Sequence, residues 1–325
     1  MKGYSLILLL NVFLAFYASA QFHPAAGISG SHAISQNHGL IKSWAQVEAW
    51  ELGWLDIRDT ALGKPTVGDS ASASGLADGN VLSLGDGGWV TLIFNEPISD
   101  QEGYDFAVFE NSFRDDFLEL AFVEVSSDGA YFARFPASSL SSTNQQVGSF
   151  GLLDATKINN LAGKYRGGYG VPFDLSELAN DSLLNLDSIR FVRIIDVVGS
   201  IDPQWGSIDA EGRLINDPFP TPFPSGGFDL DAVAVLTPGY TSNEPVTVLN
   251  QNIQIYPNPI SHGSTFQIAG YDFSQPLNLM DTNGRIVSRF AHRSDLFIPS
   301  GLSSGIYILQ GEIEGNLVCQ KIILR

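Results

Sequence analysis

The fold of this chain is decided by residues 89–129, which read WVTLIFNEPISDQEGYDFAVFENSFRDDFLELAFVEVSSDG. Short runs rich in Val, Ile, Leu and Phe alternate in this stretch with turn-forming residues such as Asn-Glu-Pro and Ser-Asp-Gly. Apolar runs of this length are typical of strands that are buried on at least one face. The stretch therefore predicts an all-β domain whose strands follow one another through short turns.

Two more apolar runs, residues 189–198 and 228–236, extend this pattern toward the C-terminus. No segment repeats along the chain with the spacing of a solenoid or a propeller. We therefore predict one β-sandwich or barrel body over residues 21–238. Two short helices are also predicted, from the capping patterns at residues 43–46 (SWAQ) and 174–177 (DLSE).

Composition and charge limit the partners of this protein. The chain has 325 residues, of which 44% are hydrophobic, a proportion typical of a folded globular protein. Its 17 Lys and Arg residues against 35 Asp and Glu residues give a net charge of −18 at pH 7. A surface that neutralises DNA or RNA phosphates needs an excess of basic residues, so no nucleic acid partner is expected.

Residues 1–20 have the pattern of a cleaved signal peptide. Lys2 precedes an apolar run, and the small residues 18–20 (ASA) form a cleavage site before Gln21. The apolar run is shorter than the roughly twenty residues that span a bilayer, which disfavours the alternative of a membrane anchor. No later stretch is long and apolar enough to span either, so we expect no transmembrane segment in the mature chain.

Charge is distributed unevenly along the chain. Residues 251–325 carry as many acidic as basic side chains, so the whole net charge of −18 comes from the residues before them. The change falls next to residues 237–245 (TPGYTSNEP), which are rich in turn-forming and polar residues. We therefore predict a linker at residues 239–250 and a second domain at residues 251–325.

The second domain carries motifs in a distinctive order and spacing. They are residues 255–259 (IYPNP), 277–287 (LNLMDTNGRIV), 302–309 (LSSGIYIL) and 321–324 (KIIL). Within them, Asn283-Gly284 is the sequence of a two-residue β-hairpin turn. Together these motifs resemble the type A C-terminal sorting domain of the Bacteroidetes type IX secretion system.

This resemblance implies a small Ig-like β-sandwich over residues 251–325. It also implies that the type IX secretion and sorting machinery exports the protein across the outer membrane and removes this domain. The protein is then expected at the cell surface or in the extracellular medium. An ordinary Ig-like adhesion module is the alternative for the same residues.

The body carries a second resemblance, spread over nearly all of its length. The matching segments are residues 81–88 (VLSLGDGG), 105–111 (DFAVFEN), 119–129 (ELAFVEVSSDG), 160–166 (NLAGKYR), 195–200 (IDVVGS) and 226–233 (GGFDLDAV). They resemble an uncharacterised family of bacterial secreted cell surface proteins. The resemblance implies a jelly-roll sandwich similar to the galactose-binding-like domains, and it supplies no catalytic residue.

Structural calcium is the cofactor that the composition favours. The single cysteine, Cys319, cannot form an intramolecular disulfide, so packing or a metal must stabilise the exported chain. An acid-rich, cysteine-poor protein suits a hard cation that takes oxygen ligands, which favours calcium over zinc.

Four acidic residues are the candidate calcium ligands. Asp229 and Asp231 are two apart on a predicted strand, so both carboxylates should point to one face, with the apolar residues Phe228, Leu230 and Ala232 on the other. Asp105 and Glu110 flank another predicted strand in the same way. In the alternative, Asp229 and Asp231 face solvent or pair with Arg190 or Arg193.

A long connection at residues 199–227 and a basic, aromatic run provide the candidates for ligand binding. The connection carries Trp205 among several prolines, and long loops of this kind are often functional. Tyr165 and Arg166 lie in the densest basic run of an otherwise acidic body. We predict that these three residues contact an extracellular ligand, foremost a glycan. In the alternative, the aromatic residues of the connection close over the sandwich as a lid and Arg166 balances nearby acids.

Enzymatic function is less well supported by the sequence. Pairs such as Glu110 with Glu124, or Asp196 with Asp202, offer the two carboxylates that glycoside hydrolysis needs. A Gly-x-Ser-x-Gly nucleophile elbow is absent from the sequence. We therefore predict a calcium-stabilised, secreted binding module without catalytic residues. A glycan-degrading hydrolase and an accessory partner of an outer-membrane nutrient transporter remain the alternatives.

Overall fold

A computed structural model describes residues 22–238, 254–269, 277–281, 286–291, 296–313 and 316–325. The chain divides into two compact units, Met1–Ser242 and Asn243–Arg325. The predicted signal peptide (residues 1–20) and linker (residues 239–250) lie outside the described residues. Strands and loops dominate both units, so the prediction of an all-β protein is confirmed.

Thirteen strands and three short 3₁₀ helices are described in the first unit. The strands are β1 (Ile34–Ser35), β2 (Ile41–Trp44), β3 (Gln46–Glu51), β4 (Leu82–Ser83), β5 (Trp89–Ile98), β6 (Phe106–Glu110), β7 (Ala121–Ser126), β8 (Ala133–Arg134), β9 (Ser138–Ser139), β10 (Ile158–Asn159), β11 (Tyr169–Phe173), β12 (Ile189–Asp196) and β13 (Asp229–Leu236). The 3₁₀ helices are Thr60–Leu62, Ala155–Lys157 and Leu175–Leu178.

These strands form two antiparallel sheets and a small ribbon. One sheet has the order β1-β11-β6-β13-β2, with β4 also pairing with β13. The other has the order β3-β5-β12-β7-β8, and β9 pairs with β10 as a separate ribbon. Neighbours in each sheet are mostly distant in sequence, as expected of a sandwich in which the chain crosses between layers.

The core of this unit lies between the two sheets. Side chains from both sheets belong to one buried apolar cluster. The first sheet contributes Phe106, Val108, Phe173, Val233 and Val235, and the second contributes Val90, Leu92, Val123, Val125 and Ile194. Phe106 is central, because its ring centroid lies 5.3 Å from that of Phe173 and 5.8 Å from that of Phe135. The unit is therefore a β-sandwich.

The helix predicted at residues 43–46 is wrong. Ser43 and Trp44 end β2, where they pair with Val235 and Ala234 of β13, and residue 46 begins β3. Pairing with a buried central strand satisfies the same backbone groups that a helix would have used, and it overrides the local capping pattern. The second predicted helix is present as the 3₁₀ helix Leu175–Leu178, whose N-cap Asp174 accepts from the Ser176 backbone N–H.

The second unit contains six described strands. They are β14 (Gln254–Tyr256), β15 (Gln267–Ala269), β16 (Leu277–Met280), β17 (Ile286–Phe290), β18 (Gly305–Ile313) and β19 (Asn316–Leu324). β14 pairs with β15, and the others form a sheet in the order β17-β16-β18-β19. The predicted Asn283-Gly284 turn lies outside the described residues, but β16 and β17 on either side of it pair antiparallel. No helix among the described residues is long and apolar enough to cross a membrane.

Candidate functional site

One end of the body sandwich gathers acidic side chains from both sheets. β6 ends at Glu110, β12 ends at Asp196, and β13 begins at Asp229. The connecting loops add three more acids. Together these residues form what we call the carboxylate cluster: Asp86, Glu110, Glu119, Asp196, Asp217 and Asp229.

Strand register explains why acids so far apart in the sequence meet. Glu110 lies opposite Leu230 at the start of β13. In the other sheet Asp196 lies opposite Ala121, the first residue of β7. The two sheets therefore place the end of β6 and the end of β12 at the same end of the sandwich. The Phe228 backbone N–H donates to Asp196 Oδ1 at 2.8 Å and joins the two layers there.

The cluster is buried, and its members disfavour one another's charge. Glu110 is 1% exposed and Asp217 is 4% exposed. Burial, followed by the charge of neighbouring Glu119, raises the pKa of Glu110 well above its usual range. Burial likewise raises the pKa of Asp217, with further contributions from neighbouring acids. The carboxylates therefore need a compensating charge or proton to remain in this position.

The other members follow the same trend. Burial raises the pKa of Asp86 and of Asp229 to about 6 in each case. Burial also raises the pKa of Glu119 and of Asp196, and nearby carboxylates add to both shifts. Within the described part of the chain none of the six forms an ion pair with Lys, Arg or His.

Backbone groups hold one oxygen of several of these carboxylates and leave another without a partner. The Ser112 N–H donates to Glu110 Oε2 at 2.8 Å, and the Leu120 N–H donates to Asp217 Oδ2 at 3.1 Å. Among the described residues, the buried atoms Glu110 Oε1 and Asp217 Oδ1 have no hydrogen-bond partner. Asp100 Oδ1 is another buried carboxylate oxygen without a partner among the described residues, and buried polar atoms are rarely left this way.

Glycines let the loops of this end pack closely. The Gly87 N–H donates to Asp196 Oδ2 at 2.9 Å, from a backbone at φ +72°. A Cβ added to Gly227, at φ +75°, would lie 2.6 Å from the Gly85 backbone nitrogen. The glycines in residues 85–88 and 226–227 therefore allow two loop backbones to touch at this end of the sandwich.

The four predicted calcium ligands occupy three different places. Glu110 and Asp229 belong to the carboxylate cluster, where Asp229 accepts from the hydroxyl of Ser83. Asp105 lies at the opposite end of β6. Asp231 accepts from the backbone N–H groups of Asp78 at 3.0 Å and Gly79 at 3.2 Å, and it thereby fixes a loop.

Asp105 belongs to a second acidic group, with Asp100 and Asp174. One oxygen from each of these carboxylates lies within 4.8 Å of the other two. Burial raises the pKa of Asp105 to about 7. Both of its oxygens are engaged, because Oδ1 accepts from the Gln101 N–H at 3.0 Å and Oδ2 accepts from the Leu175 N–H at 2.7 Å.

The expected alternation along β13 is wrong at one point. A register shift against β6 lies between Leu230 and Ala232. Leu230 consequently packs between the two sheets, whereas Ala232 packs in a separate cluster with Phe109. These two apolar residues do not share a face, because the irregularity moves the side chains after it to the opposite side. Neither Asp229 nor Asp231 pairs with an arginine in the described residues.

A stack of phenylalanine rings lies at the same end of the sandwich. Successive ring centroids of Phe113, Phe117, Phe150 and Phe223 are 4.9, 6.3 and 5.3 Å apart. Phe113 is 72% exposed and Phe150 is 69% exposed. We call these four residues the phenylalanine row. Sequence analysis missed it, although the Phe spacing in residues 112–117 (SFRDDF), a polar loop, was a usable signal.

The connection at residues 199–227 was predicted either to contact a ligand or to close over the sandwich as a lid, and its aromatic residues occupy both kinds of position. Phe219 is buried, with the Arg58 guanidinium 4.5 Å from its ring centroid, as a lid would require. Phe223 is partly exposed and extends the phenylalanine row. Trp205 is half-buried in a turn of this loop, where its backbone N–H donates to the Asp202 backbone carbonyl at 3.0 Å.

The other two predicted ligand residues have different surroundings. Tyr165 is 2% exposed and packs in the core between the sheets. Arg166 pairs with Asp115 at 2.6 Å, on the loop that carries Phe113, and its guanidinium lies 4.7 Å from the Tyr169 ring centroid. Arg166 therefore lies beside the phenylalanine row, and Tyr165 supports the fold from inside.

The C-terminal unit defines this chain as an exported protein. Residues 254–325 match the family described as the secretion system C-terminal sorting domain. The chain is therefore a cargo of the type IX secretion machinery, exported across the outer membrane to the cell surface or the extracellular space. No curated protein matches the chain.

Proposed function

We propose that the body is a surface-displayed, calcium-stabilised binding module of the galactose-binding-like jelly-roll type, and that its ligand is a glycan. The phenylalanine row is the observation that carries this proposal. Two rings that are about 70% exposed stand in a continuous stack on loops at one end of a rigid sandwich. Exposed apolar patches with a polar rim mark binding surfaces.

The surroundings of the row suit a sugar chain. Aromatic faces pack against the C–H faces of sugar rings, and neighbouring polar groups bond to the hydroxyls. Charged pairs supply that rim here: Arg114 with Asp116 at 2.8 Å, and Arg166 with Asp115 at 2.6 Å.

The acids of the carboxylate cluster, at the same end of the sandwich as the phenylalanine row, are the reason for proposing calcium. Glu110 and Asp229 are supported as ligands by the unpartnered oxygen of Glu110 and by their position in the carboxylate cluster. Asp105 is less well supported because backbone N–H groups engage both of its oxygens. Asp231 has the same weakness, since two backbone N–H groups already donate to it.

A glycan array probed with the purified secreted protein tests the ligand. We expect binding to a defined class of sugar, and we expect the double variant Phe113→Ala/Phe150→Ala to bind about tenfold more weakly or worse. Both rings are exposed, so their removal leaves the core intact. The matched control is Leu183→Ala, which removes a side chain that is 67% exposed on the loop before β12.

Two results would contradict the glycan proposal: silence of the wild type on every sugar, or full binding by the double variant. Trp205→Ala, measured beside them, tests whether the loop at residues 199–227 contributes. Release of reducing ends from a bound polysaccharide would instead favour the glycan-degrading hydrolase.

A further inference from the structure

We propose that the outer face of the sheet β3-β5-β12-β7-β8 binds a glycan that contains uronic acid residues, and that Arg193 is the anchor for the sugar carboxylate. This inference goes beyond the proposed function, because it concerns the side of a sheet and not the phenylalanine row. It shares with the proposed function only the class of ligand, so each can fail without the other.

Strand register defines the outer face as three rows of residues that lie opposite one another on neighbouring strands. The middle row crosses all five strands and consists of Ala49, Thr91, Arg193, Glu124 and Arg134. The two rows beside it are Glu51, Trp89, Ile195 and Phe122, and Gln46, Ile93, Phe191 and Ser126. The alternate residues Leu92, Val192 and Val125 belong to the core, so the three rows point away from it.

The outer face carries more apolar side chains than the solvent side of an antiparallel sheet normally does. Such a side usually carries polar residues. Here Trp89, Ile93 and Phe191 occupy it, and each of them is partly exposed. Phe122 and Ile195 are covered, because they pack in a separate apolar cluster with the adjoining loops. The part of the face around Trp89, Ile93 and Phe191 therefore has the character of a binding surface.

Arg193 stands at the centre of the outer face and is held in place there. Its Nε donates to Thr91 Oγ1 at 3.0 Å. Its guanidinium carbon lies 3.6 Å from the ring centroid of Phe132 and 5.1 Å from that of Trp89. Aromatic rings attract a guanidinium and restrict its orientation. A ligand that binds Arg193 therefore does not have to order this side chain first.

No acid of the body neutralises Arg193. Residues 22–238 contain seven arginines, of which five form ion pairs, whereas Arg190 and Arg193 form none with the described residues. Glu124 lies directly opposite Arg193, but its Oε1 already accepts from Arg134 Nε at 2.9 Å and Nη2 at 2.8 Å. An arginine that stays unpaired in a body so rich in acids remains able to bind an anion from outside.

The remaining donors of Arg193 select a carboxylate. Because Nε is engaged by Thr91, the terminal nitrogens Nη1 and Nη2 are the donors left for a ligand, and neither has a hydrogen-bond acceptor among the described residues. A guanidinium donates two parallel hydrogen bonds to the two oxygens of a carboxylate. The single charge of a carboxylate also balances the single unpaired charge of Arg193.

The surroundings of Arg193 favour a sugar over a peptide as the carrier of that carboxylate. Trp89 and Phe191 stand in the rows on either side of Arg193, and aromatic rings pack against the C–H faces of sugars. A peptide that binds a sheet usually pairs its backbone with an open edge strand. The strands β5, β12 and β7 have neighbours on both sides, so the middle of this face offers no such pairing.

Titration of the purified secreted protein with acidic oligosaccharides tests this surface. The chain has a net charge of −18, which disfavours dense polyanions, so each probe carries one glucuronic or galacturonic acid residue among neutral sugars. The same probes with a methyl-esterified carboxyl group are the matched control ligands. We expect calorimetric binding of a free acid, and binding of its ester that is about tenfold weaker or worse.

Arg193→Gln separates recognition of the carboxylate from a purely structural role of Arg193. This variant should bind the free acid no better than the wild type binds the ester, and its own affinity for the ester should be unchanged. A variant that only loosened the fold would lose affinity for both ligands equally. The matched control is Arg190→Gln, which removes an exposed, unpaired arginine of the same strand and should keep full binding.

Four results would overturn the inference. They are a wild type that binds none of the free acids, equal binding of acid and ester, wild-type binding by Arg193→Gln, and an equal loss in Arg190→Gln. The last result would show a general attraction to positive charge instead of an anchor at Arg193.

The double variant Phe113→Ala/Phe150→Ala distinguishes this surface from the phenylalanine row, and we expect it to bind the free acids as the wild type does. If the acids are the only sugars bound and the double variant binds them in full, the phenylalanine row fails as a sugar surface and the outer face stands. If the double variant loses the acids while Arg193→Gln keeps them, the carboxylate binds at the row and the inference is overturned.

Discussion

Lys164 is a buried base of the body, and its surroundings make its charge costly. It is 3% exposed, and its Nζ donates to the Ile158 carbonyl at 2.8 Å. Burial lowers the pKa of Lys164 from 10.5 to about 8. Between these two pH values the unfolded chain binds more protons than the folded chain, so the contribution of Lys164 makes stability rise with pH. Below about pH 8 the cost of the buried charge is present in full.

We therefore expect the wild type to gain up to about 3 kcal/mol of stability between pH 8 and 10.5 relative to Lys164→Met. Urea unfolding of both proteins across this range measures the difference, in which the titration of all other groups cancels. Lys42→Met, at an exposed position on β2, is the control and should follow the wild-type pH dependence. Parallel curves for the wild type and Lys164→Met would show that the buried lysine stays charged at no cost.

At the scale of elements, β13 organises both a sheet and a loop. Asp231, on this strand, accepts the backbone N–H groups of Asp78 and Gly79. Asp231→Ala would leave these donors without their acceptor, so we expect a loss of about 1–3 kcal/mol in the free energy of unfolding. Calcium binding should be unchanged, because the side chain faces the loop at residues 78–79 and not the carboxylate cluster. Chemical denaturation and calcium calorimetry on the same variant check both statements.

Asp231→Asn is the matched control, because Asp78 and Gly79 both donate to Asp231 Oδ1 and an amide oxygen in that place can still accept from them, so this variant should restore part of the stability. Loss of calcium binding in Asp231→Ala at unchanged stability would return Asp231 to the metal site and contradict its anchoring role.

Elements were predictable from the sequence where local pattern and burial agree. The runs at residues 89–94, 189–196 and 229–236 became strands because each is long, apolar and central in a sheet. The capping pattern at residues 43–46 failed because pairing with β13 outweighs a single local signal. Asp174, which has no such competing partner strand, caps its short helix as predicted.

The site could be predicted only in part, for a physical reason. Glu110 and Asp229 were found because each borders an apolar run. Glu119 and Asp217 stand in the same cluster, yet no local spacing connects them to Glu110. Sheet register and loop packing bring them together, and these are long-range properties that one sequence does not display. Ring contacts between Phe117, Phe150 and Phe223 have the same origin.

At the scale of the whole molecule, folding and export belong to different units. The core of the body is drawn from residues before 238, and the buried cluster of the C-terminal unit is drawn from residues 255–324. Each unit therefore buries its own apolar side chains, which is the condition for a domain that folds by itself. The sorting signal occupies residues 254–325 and the proposed binding surface lies in the body.

This division predicts the result of deleting residues 254–325. The truncated chain should keep its folded body, because the core between the two body sheets loses no member. It should fail to cross the outer membrane, because the residues that the export machinery recognises are gone. Cell fractionation with protease protection measures location, and thermal melting of the retained protein measures folding.

The export-competent control is full-length Phe113→Ala, whose change lies in the body and leaves the sorting domain intact. A truncated chain that still reached the medium would place a second export signal in the body. One that was retained but unfolded would instead show that the body depends on the C-terminal unit for stability.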